Sequence, residues 1–176
     1  MDVFEAIATR RSVRAYSPQP IHARVMQRMK QALRSAPSAC NLQPWHFVFV
    51  MHEDLRQRMA QAANGQLWMA GAPVIVVACG LPEKAYQHMG GHGNSVEVDV
   101  AIALDHLTLA AVAEGLGTCW IGAFDETAVK LLVTVHGLTA SQAPDEPDDQ
   151  WSIPPQCKTK GIKPAYVAAI GPISNA

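Results

Sequence analysis

A cluster of basic and hydroxyl side chains near the start of the chain is the strongest chemical signal in the sequence. Arg10, Arg11, Ser12 and Arg14 fall close together at the predicted end of the first helix. Guanidinium groups pair bidentately with phosphate oxygens, so three of them beside a hydroxyl suit a phosphate monoester. The alternative is structural, because cations at a helix C-terminus interact favourably with the helix dipole. Taken alone, the segment favours the structural interpretation, because basic residues are common in the last turn of a helix.

A second polar segment, between residues 36 and 45, favours a binding site. It is bracketed by prolines and carries small residues and two amides, namely Pro37, Ser38, Ala39, Asn41 and Gln43. Small residues let a planar ligand approach the backbone, and each amide can both donate and accept hydrogen bonds. The segment therefore suits a heteroaromatic ring whose edge alternates carbonyl groups and nitrogens.

Other motifs give weaker signals. Gly115 and Gly117 follow a predicted helix and not a strand, so they do not form a dinucleotide-binding fingerprint. His88 and His92 lie four residues apart. The glycines between them disfavour a helix, and no nearby residue completes a metal site, so we expect no bound metal. Cys40 is the best candidate for a reactive thiol, although a small apolar side chain is the simpler interpretation of it.

The composition excludes several classes of protein. The chain has 176 residues, 49% of them hydrophobic and 16% charged, which excludes a disordered protein. Its net charge of −1 gives no general basic field for nucleic acid. No apolar run is long enough to span a membrane, and the N-terminal residues lack the features of a signal peptide. The four cysteines are scattered, so we expect reduced thiols and a cytoplasmic location.

Helices and strands that alternate irregularly must position these segments. Asp2 and Glu5 have the spacing of a capping box, which predicts a first helix that starts there and ends within residues 10–14. Apolar spacing predicts further helices over about 22–35, 54–63, 95–114 and 125–132, and strands over about 46–51, 73–79, 118–121 and 164–170. The continuous apolar run at 73–79 predicts a strand that is buried on both faces. The helix over 95–114 is apolar on nearly all sides, which predicts contacts with both its own sheet and a partner subunit. We expect one α+β domain over residues 1–176, with a long irregular segment at about 139–163.

Four stretches of the chain together resemble the nitroreductase family of flavin-dependent oxidoreductases. They are residues 10–16, 36–45, 72–77 and 109–122, and they occur in the order and spacing of that family. The resemblance covers the chain from its start to about Leu132. It implies an α+β fold with a central, mostly antiparallel sheet flanked by helices. It also implies an intertwined homodimer that holds two FMN molecules at the subunit interface.

The resemblance implies roles for particular residues. The segment that holds the phosphate, the ribityl chain and the pyrimidine edge of FMN is matched by Arg10, Arg11, Ser12 and Arg14. The loop that the partner subunit places over the flavin is matched by Pro37, Ser38, Ala39 and Asn41, with Gln43 beside them. Asn64 falls where some members have an asparagine that faces the pyrimidine. The backbone amides near flavin N5 and O4 are matched by Trp120, Ile121 and Gly122.

The function implied is an FMN-dependent oxidoreductase that uses NADH or NADPH. Hydride would pass through flavin N5 to a nitroaromatic, a quinone or a related acceptor by a ping-pong mechanism. The flavin carries the redox chemistry, with Arg14 in an electrostatic role towards the reduced ring, so no acid–base pair of side chains is expected. The partners expected are a second copy of the chain and a small-molecule acceptor.

Two departures from the family pattern leave alternatives open. No basic residue follows the last predicted strand, where the family usually has a cation that reaches the phosphate. The segment at about 139–163 is also longer than the family's usual connection, and it is either a solvated loop or a lid that covers the flavin with Trp151 or Ile153. The alternatives are a non-enzymatic flavin-binding or flavin-sequestering protein, and a dehalogenase or flavin-cleaving relative on the same scaffold.

Overall fold

An antiparallel sheet of four strands forms the centre of the described part of the protein. The computed structural model describes residues 1–91, 93–135 and 162–174. The strands are β1 (Trp45–Val50), β2 (Val74–Gly80), β3 (Leu116–Ile121) and β4 (Lys163–Pro172), in the sheet order β1-β2-β4-β3. The helices are α1 (Val3–Thr9), α2 (Ala23–Arg34), α3 (Glu53–Ala62), α4 (Val96–Ala113) and α5 (Glu126–Val135). This architecture confirms the predicted α+β class and its antiparallel sheet.

Helices cover both faces of the sheet. Helices α2 and α4 pack on one face, where Met29, Leu33 and Leu104 are fully buried in one apolar cluster. Helices α3 and α5 pack on the other face, where Met59 and Val129 are buried in a second cluster. All seven residues of β2 are buried, which confirms the prediction of a strand covered on both faces.

The start of the chain follows the predicted capping box. The Asp2 carboxylate accepts a hydrogen bond from the Glu5 backbone N–H at 2.9 Å, and the Glu5 carboxylate accepts from the Asp2 N–H at 3.0 Å. Helix α1 then ends at Thr9, and Arg10 has extended dihedral angles, φ −57° and ψ 126°. The arginine-rich segment therefore begins where the helix has already ended.

Several boundaries differ from the sequence-based ones. Strand β3 begins at Leu116, so Gly117 lies inside the strand, and the positive φ of +80° that ends the preceding turn belongs to Gly115. Helix α5 extends to Val135, and β4 runs from Lys163 to Pro172. Most of the predicted irregular segment, with its candidate lid residues, lies outside the described residues. Within the described ranges, no helix is both long and apolar enough to cross a membrane.

Candidate functional site

The arginine-rich segment runs extended along the free edge of β3. Ser12 forms a parallel bridge with Thr118, and the Val13 backbone N–H donates to the Thr118 carbonyl at 2.9 Å. The last turn of α1 contains no basic residue. Arg10 is the C-cap of α1, where a cation interacts favourably with the helix dipole, whereas the residues after it form an extra strand-like element beside the sheet.

Alternation along this segment separates its side chains into two groups. Val13 is buried, whereas Ser12 and Arg14 on either side of it are exposed. Arg11 lies two residues before Val13 and lines a small cavity with it and with Gly117. Because successive side chains of an extended segment point to opposite sides, Arg11 does not join Ser12 and Arg14. The structure thus divides a group that sequence reasoning had treated as one.

Tyr16 fixes the end of the segment. Its hydroxyl donates a hydrogen bond to the Val13 carbonyl at 2.6 Å and also lies 3.2 Å from the carbonyl oxygen of Ala169 on β4. Burial raises the pKa of Tyr16 well above its ordinary value of 10.0, so its hydroxyl stays protonated at neutral pH and acts as a donor. The segment therefore has a defined position against the sheet before any ligand binds.

Arg14 meets an aromatic ring that sequence reasoning did not single out. The carbon at the centre of its guanidinium group lies 5.8 Å from the ring centroid of Trp68, a cation–π distance. Trp68 sits on a short 3-10 helix, Leu67–Gly71. Arg56 holds that helix through its guanidinium group, which donates to the carbonyls of Ala70, at 2.7 Å, and Ala72. The sequence feature that could have indicated this contact is an isolated tryptophan between α3 and β2.

The turn after α3 reaches the end of β3. The Gln66 side-chain amide donates to the Ala123 carbonyl at 3.2 Å and to the Ala63 carbonyl at 3.1 Å. Asn64, two residues earlier, is exposed with a left-handed φ of +56° and lines an open cavity between α3 and α5. Sequence reasoning named Asn64 and missed Gln66, although the side chain of Gln66 is the one that bonds to the backbone beyond β3.

The end of β3 presents its backbone more than its side chains. Trp120 is half-buried and packs against Tyr166 of β4, with ring centroids 5.2 Å apart. Ile121 is buried on the opposite face, and only Gly122 of the three predicted residues is exposed. Arg14, the turn after α3 and Gly122 thus lie near one another, at the edge of the sheet that β3 forms.

The loop over residues 36–44 has a tightly defined backbone. Cys40, Asn41 and Gln43 all have left-handed φ values, of +50°, +54° and +47°. The Ser38 hydroxyl accepts a hydrogen bond from the Gln43 backbone N–H at 2.9 Å, and the Ser38 carbonyl accepts from the Asn41 N–H at 2.9 Å. Pro37, Asn41 and Gln43 are exposed, so the loop presents them to solvent in a fixed arrangement.

A buried carboxylate anchors this loop to α4. Asp99, only 3% exposed, accepts the Ala39 backbone N–H on one oxygen at 3.0 Å. Its other oxygen accepts the Ser95 hydroxyl at 2.6 Å. Sequence reasoning missed Asp99, and the signal that could have revealed it was an acid on an otherwise apolar face of the long helix.

Within one protomer the loop and the arginine-rich segment do not meet. The loop leads into β1, whereas Ser12 and Val13 flank β3, and β2 and β4 lie between those two edge strands. Neighbouring strands are separated by about 4.8 Å, so three spacings put the edges roughly 14 Å apart. The two groups of predicted binding residues are thus on opposite edges of one sheet.

Histidines form no metal cluster in the described part of the chain. His92 lies outside the described residues, and those that are described contain no cluster of three or more histidine, cysteine or acidic side chains that could hold a metal. His46 on β1 is largely buried, which lowers its pKa, and its Nε2 atom has no hydrogen-bond partner among the described residues.

Comparison with known proteins gives consistent results. The family model described as the nitroreductase family matches residues 7–73 and 62–144. A putative NADH dehydrogenase/NAD(P)H nitroreductase of Methanothermobacter thermautotrophicus is 30% identical over 124 residues, which are 70% of this chain and 62% of that protein. An FMN reductase of Bacillus subtilis that uses NAD(P)H is 30% identical over 135 residues. The match covers 69% of this chain and 54% of the length of that protein. The chain therefore spans less than two thirds of these relatives.

A solved structure shows the same fold. The crystal structure of a nitroreductase family protein from Clostridium difficile superposes with a TM-score of 0.78 and 20% sequence identity. The superposition covers 100% of this chain and 87% of that one.

Proposed function

The chain belongs to the nitroreductase family, and from this premise we propose that it is an FMN-dependent oxidoreductase that takes electrons from NADH or NADPH. The acceptor we propose is a nitroaromatic compound, a quinone or a related small molecule. The observation that carries the proposal is the placement of Arg14 beside the turn after α3 and the end of β3. Three segments far apart in sequence converge there beside the exposed side chain of Arg14.

The residues of this edge suit a flavin mononucleotide. Arg10 and Ser12 offer a guanidinium group and a hydroxyl for the phosphate, and Arg14 offers a cation for the pyrimidine edge. Among the described residues, neither Arg10 nor Arg14 forms an ion pair with an acid. Arg11, on the opposite side of the segment, contributes least in this arrangement.

FMN, when bound, supplies the group that accepts and then gives up hydride. The protein's part is to hold it and to set its electrostatic environment. Arg14 would stabilise negative charge that develops on the ring, and the Trp68 ring keeps the guanidinium group in place. No side chain needs to act as a general acid in the first half-reaction, in which NAD(P)H gives up hydride, and Tyr16 is unsuited to that role because burial raises its pKa.

We also propose that two copies of the chain complete each site. The 36–44 loop and the arginine-rich segment lie at opposite edges of the sheet, so a loop from a second copy could reach the site that one copy leaves open. Helix α1 supports association, because Val3, Phe4 and Ile7 are 59%, 79% and 56% exposed. Exposed apolar side chains of this size in one short helix favour burial against a partner.

Arginine variants test the cofactor. Wild-type apoprotein should quench the fluorescence of added FMN, and Arg10→Ala should bind FMN about ten- to a hundredfold more weakly, as expected for one lost charge-assisted contact. Arg24→Ala, an exposed arginine at the start of α2, is the matched control and should bind like the wild type. Equal affinities for Arg10→Ala and the wild type would contradict the assignment of the phosphate site.

Steady-state kinetics test the reaction. If the electron donor and the acceptor use the same site in turn, double-reciprocal plots of NAD(P)H oxidation at several quinone concentrations should be parallel. Intersecting lines would indicate a ternary complex and a separate acceptor site. Reduction of the bound flavin by NAD(P)H no faster than that of free FMN would indicate a flavin-binding protein and not an enzyme.

A further inference from the structure

We propose that Asp99 is a positioning residue for FMN binding, acting through the 36–44 loop on the site of the second protomer. This inference rests on the proposed function and adds to it a residue that contacts no ligand itself. The observation behind it is a carboxylate buried on α4 whose two oxygens accept the Ala39 backbone N–H at 3.0 Å and the Ser95 hydroxyl at 2.6 Å.

The first turn of α4 is organised around this carboxylate. Ser95 directly precedes the helix, yet its hydroxyl makes no capping bond and donates to Asp99 instead. The same hydroxyl oxygen accepts the Tyr86 backbone N–H at 3.2 Å, and the Ser95 N–H donates to the Tyr86 carbonyl at 2.9 Å. Ser95 is thus held by its two bonds to Tyr86, and its hydroxyl fixes the orientation of the Asp99 carboxylate.

Apolar packing gives no reason for an acid at this position. The neighbouring residues Val96, Val100 and Ala103 are buried in the apolar cluster that α4 forms with the sheet. Transfer of a carboxylate into such surroundings costs free energy unless hydrogen bonds replace its water. The helix N-terminus partly offsets that cost, because its dipole favours negative charge. Beyond its local bond to Ser95, the carboxylate adds the bond to Ala39, which joins α4 to the 36–44 loop.

That bond falls where the loop needs support. Ala39 immediately precedes Cys40, the first of three residues with left-handed φ values, and none of the three is glycine. Asn tolerates this conformation, but for Cys40 and Gln43 it persists only where surrounding contacts enforce it. Without the carboxylate, the Ala39 N–H loses its acceptor and the loop is freed to adopt other backbone conformations. Asn41 and Gln43 would then lose their fixed arrangement.

The experiment combines a readout that needs no FMN with one that does. Hydrogen–deuterium exchange of the peptide spanning residues 36–44 in the apoprotein reports the loop, and FMN titration reports the site. Asp99→Ala should speed exchange of this peptide about tenfold or more and weaken FMN binding about tenfold, the scale of one lost charge-assisted hydrogen bond. At saturating FMN its kcat should return to near the wild-type value.

Two further variants guard against loss of folding. Asp99→Asn keeps an oxygen for the Ala39 N–H and should restore exchange and FMN affinity to within about threefold of the wild type. Ser95→Ala leaves the carboxylate with one partner and should fall between Asp99→Asn and Asp99→Ala. If Asp99→Ala does not fold, wild-type behaviour of Ser95→Ala in both assays overturns the inference.

Matched controls separate positioning from general destabilisation. Asp105→Ala removes an exposed acid from the same helix and should change neither readout. Val50→Ala trims a buried side chain at the far end of β1 and should lower stability without weakening FMN binding. A loss of FMN affinity in Val50→Ala equal to that in Asp99→Ala would overturn the positioning role.

The outcomes distinguish this inference from the proposed function. Faster exchange in Asp99→Ala with unchanged FMN affinity shows that the loop does not serve the site, and overturns the inference while FMN binding stands. Unchanged exchange in a folded Asp99→Ala overturns the anchoring role. Failure of the wild-type protein to bind FMN refutes the proposed function and the inference with it, even where the exchange data show that Asp99 holds the loop.

Discussion

Replacement of Gly117 by alanine would test whether the arginine-rich segment must lie close against β3. A Cβ added at Gly117 would come 2.9 Å from the Val13 Cβ atom and from both of its Cγ atoms. Ordinary contacts of a Cβ begin at about 3.4 Å, so Val13 must move by about 0.5 Å. Because Val13 lies between Ser12 and Arg14, its displacement also moves the residues that we propose hold FMN.

The size of the effect follows from this overlap. Overpacking of a buried site costs about 1–3 kcal/mol, and in a protein of this size each kcal/mol lowers Tm by about 2–4 °C. Gly117→Ala should therefore lower Tm by about 2–12 °C and weaken FMN binding about fivefold or more, measured by thermal unfolding and by fluorescence titration.

Two further variants make the test specific. Val13→Ala removes both Cγ atoms, so the double variant should be more stable than the sum of the two single losses predicts. Gly71→Ala is the control, because an added Cβ there meets nothing within 4 Å. Wild-type Tm and FMN affinity in Gly117→Ala would refute the close packing of the segment on β3.

Three other predictions concern residues around the site. Trp68→Leu should weaken FMN binding about two- to fivefold in the wild-type background and have no effect in an Arg14→Gln background. A double-mutant cycle of FMN titrations measures this difference, and an equal loss in both backgrounds would mean that Trp68 acts independently of Arg14. Arg56→Met leaves the Ala70 and Ala72 carbonyls without this donor and should lower the unfolding free energy, measured in urea, by about 2–4 kcal/mol. An unchanged urea midpoint would contradict this prediction. Burial lowers the pKa of His46 below 6.5, so the unfolded state binds more protons than the folded state, and stability should fall as pH drops below about 6.5. His46→Phe should lose less stability than the wild type over that range. Identical pH profiles of stability in the two proteins would count against this prediction.

Local patterns in the sequence predicted most elements of the fold. The capping box of Asp2 and Glu5, the apolar run of β2 and the long helix α4 each depend on residues close together in the chain. Hydrogen bonds at a helix start, and the burial of one or both faces of an element, are determined by residues within a short stretch of sequence. These elements therefore appeared where they were expected, with ends shifted by a few residues.

The relations between segments could not be predicted in this way. Arg11 was grouped with Arg14 because they are close in sequence, but the bridge between Ser12 and Thr118 puts them on opposite sides. Asp99 and Ala39 are 60 residues apart, and nothing local indicates that one bonds to the other. The left-handed backbone at Cys40 and Gln43 likewise depends on the bonds of the folded loop and not on the residue types.

Mixed dimers would test the central claim, that each FMN site takes its arginines from one chain and its loop from the other. One chain would carry Arg10→Ala with Arg14→Gln, and a differently tagged second chain would carry Asp99→Ala. In a purified mixed dimer, one site would then combine both defects, and the other would combine the intact arginines of the second chain with the intact loop of the first. FMN titration should find one tight site per mixed dimer and none in either parent dimer. A mixed dimer that binds FMN no more tightly than its parents would contradict the shared site.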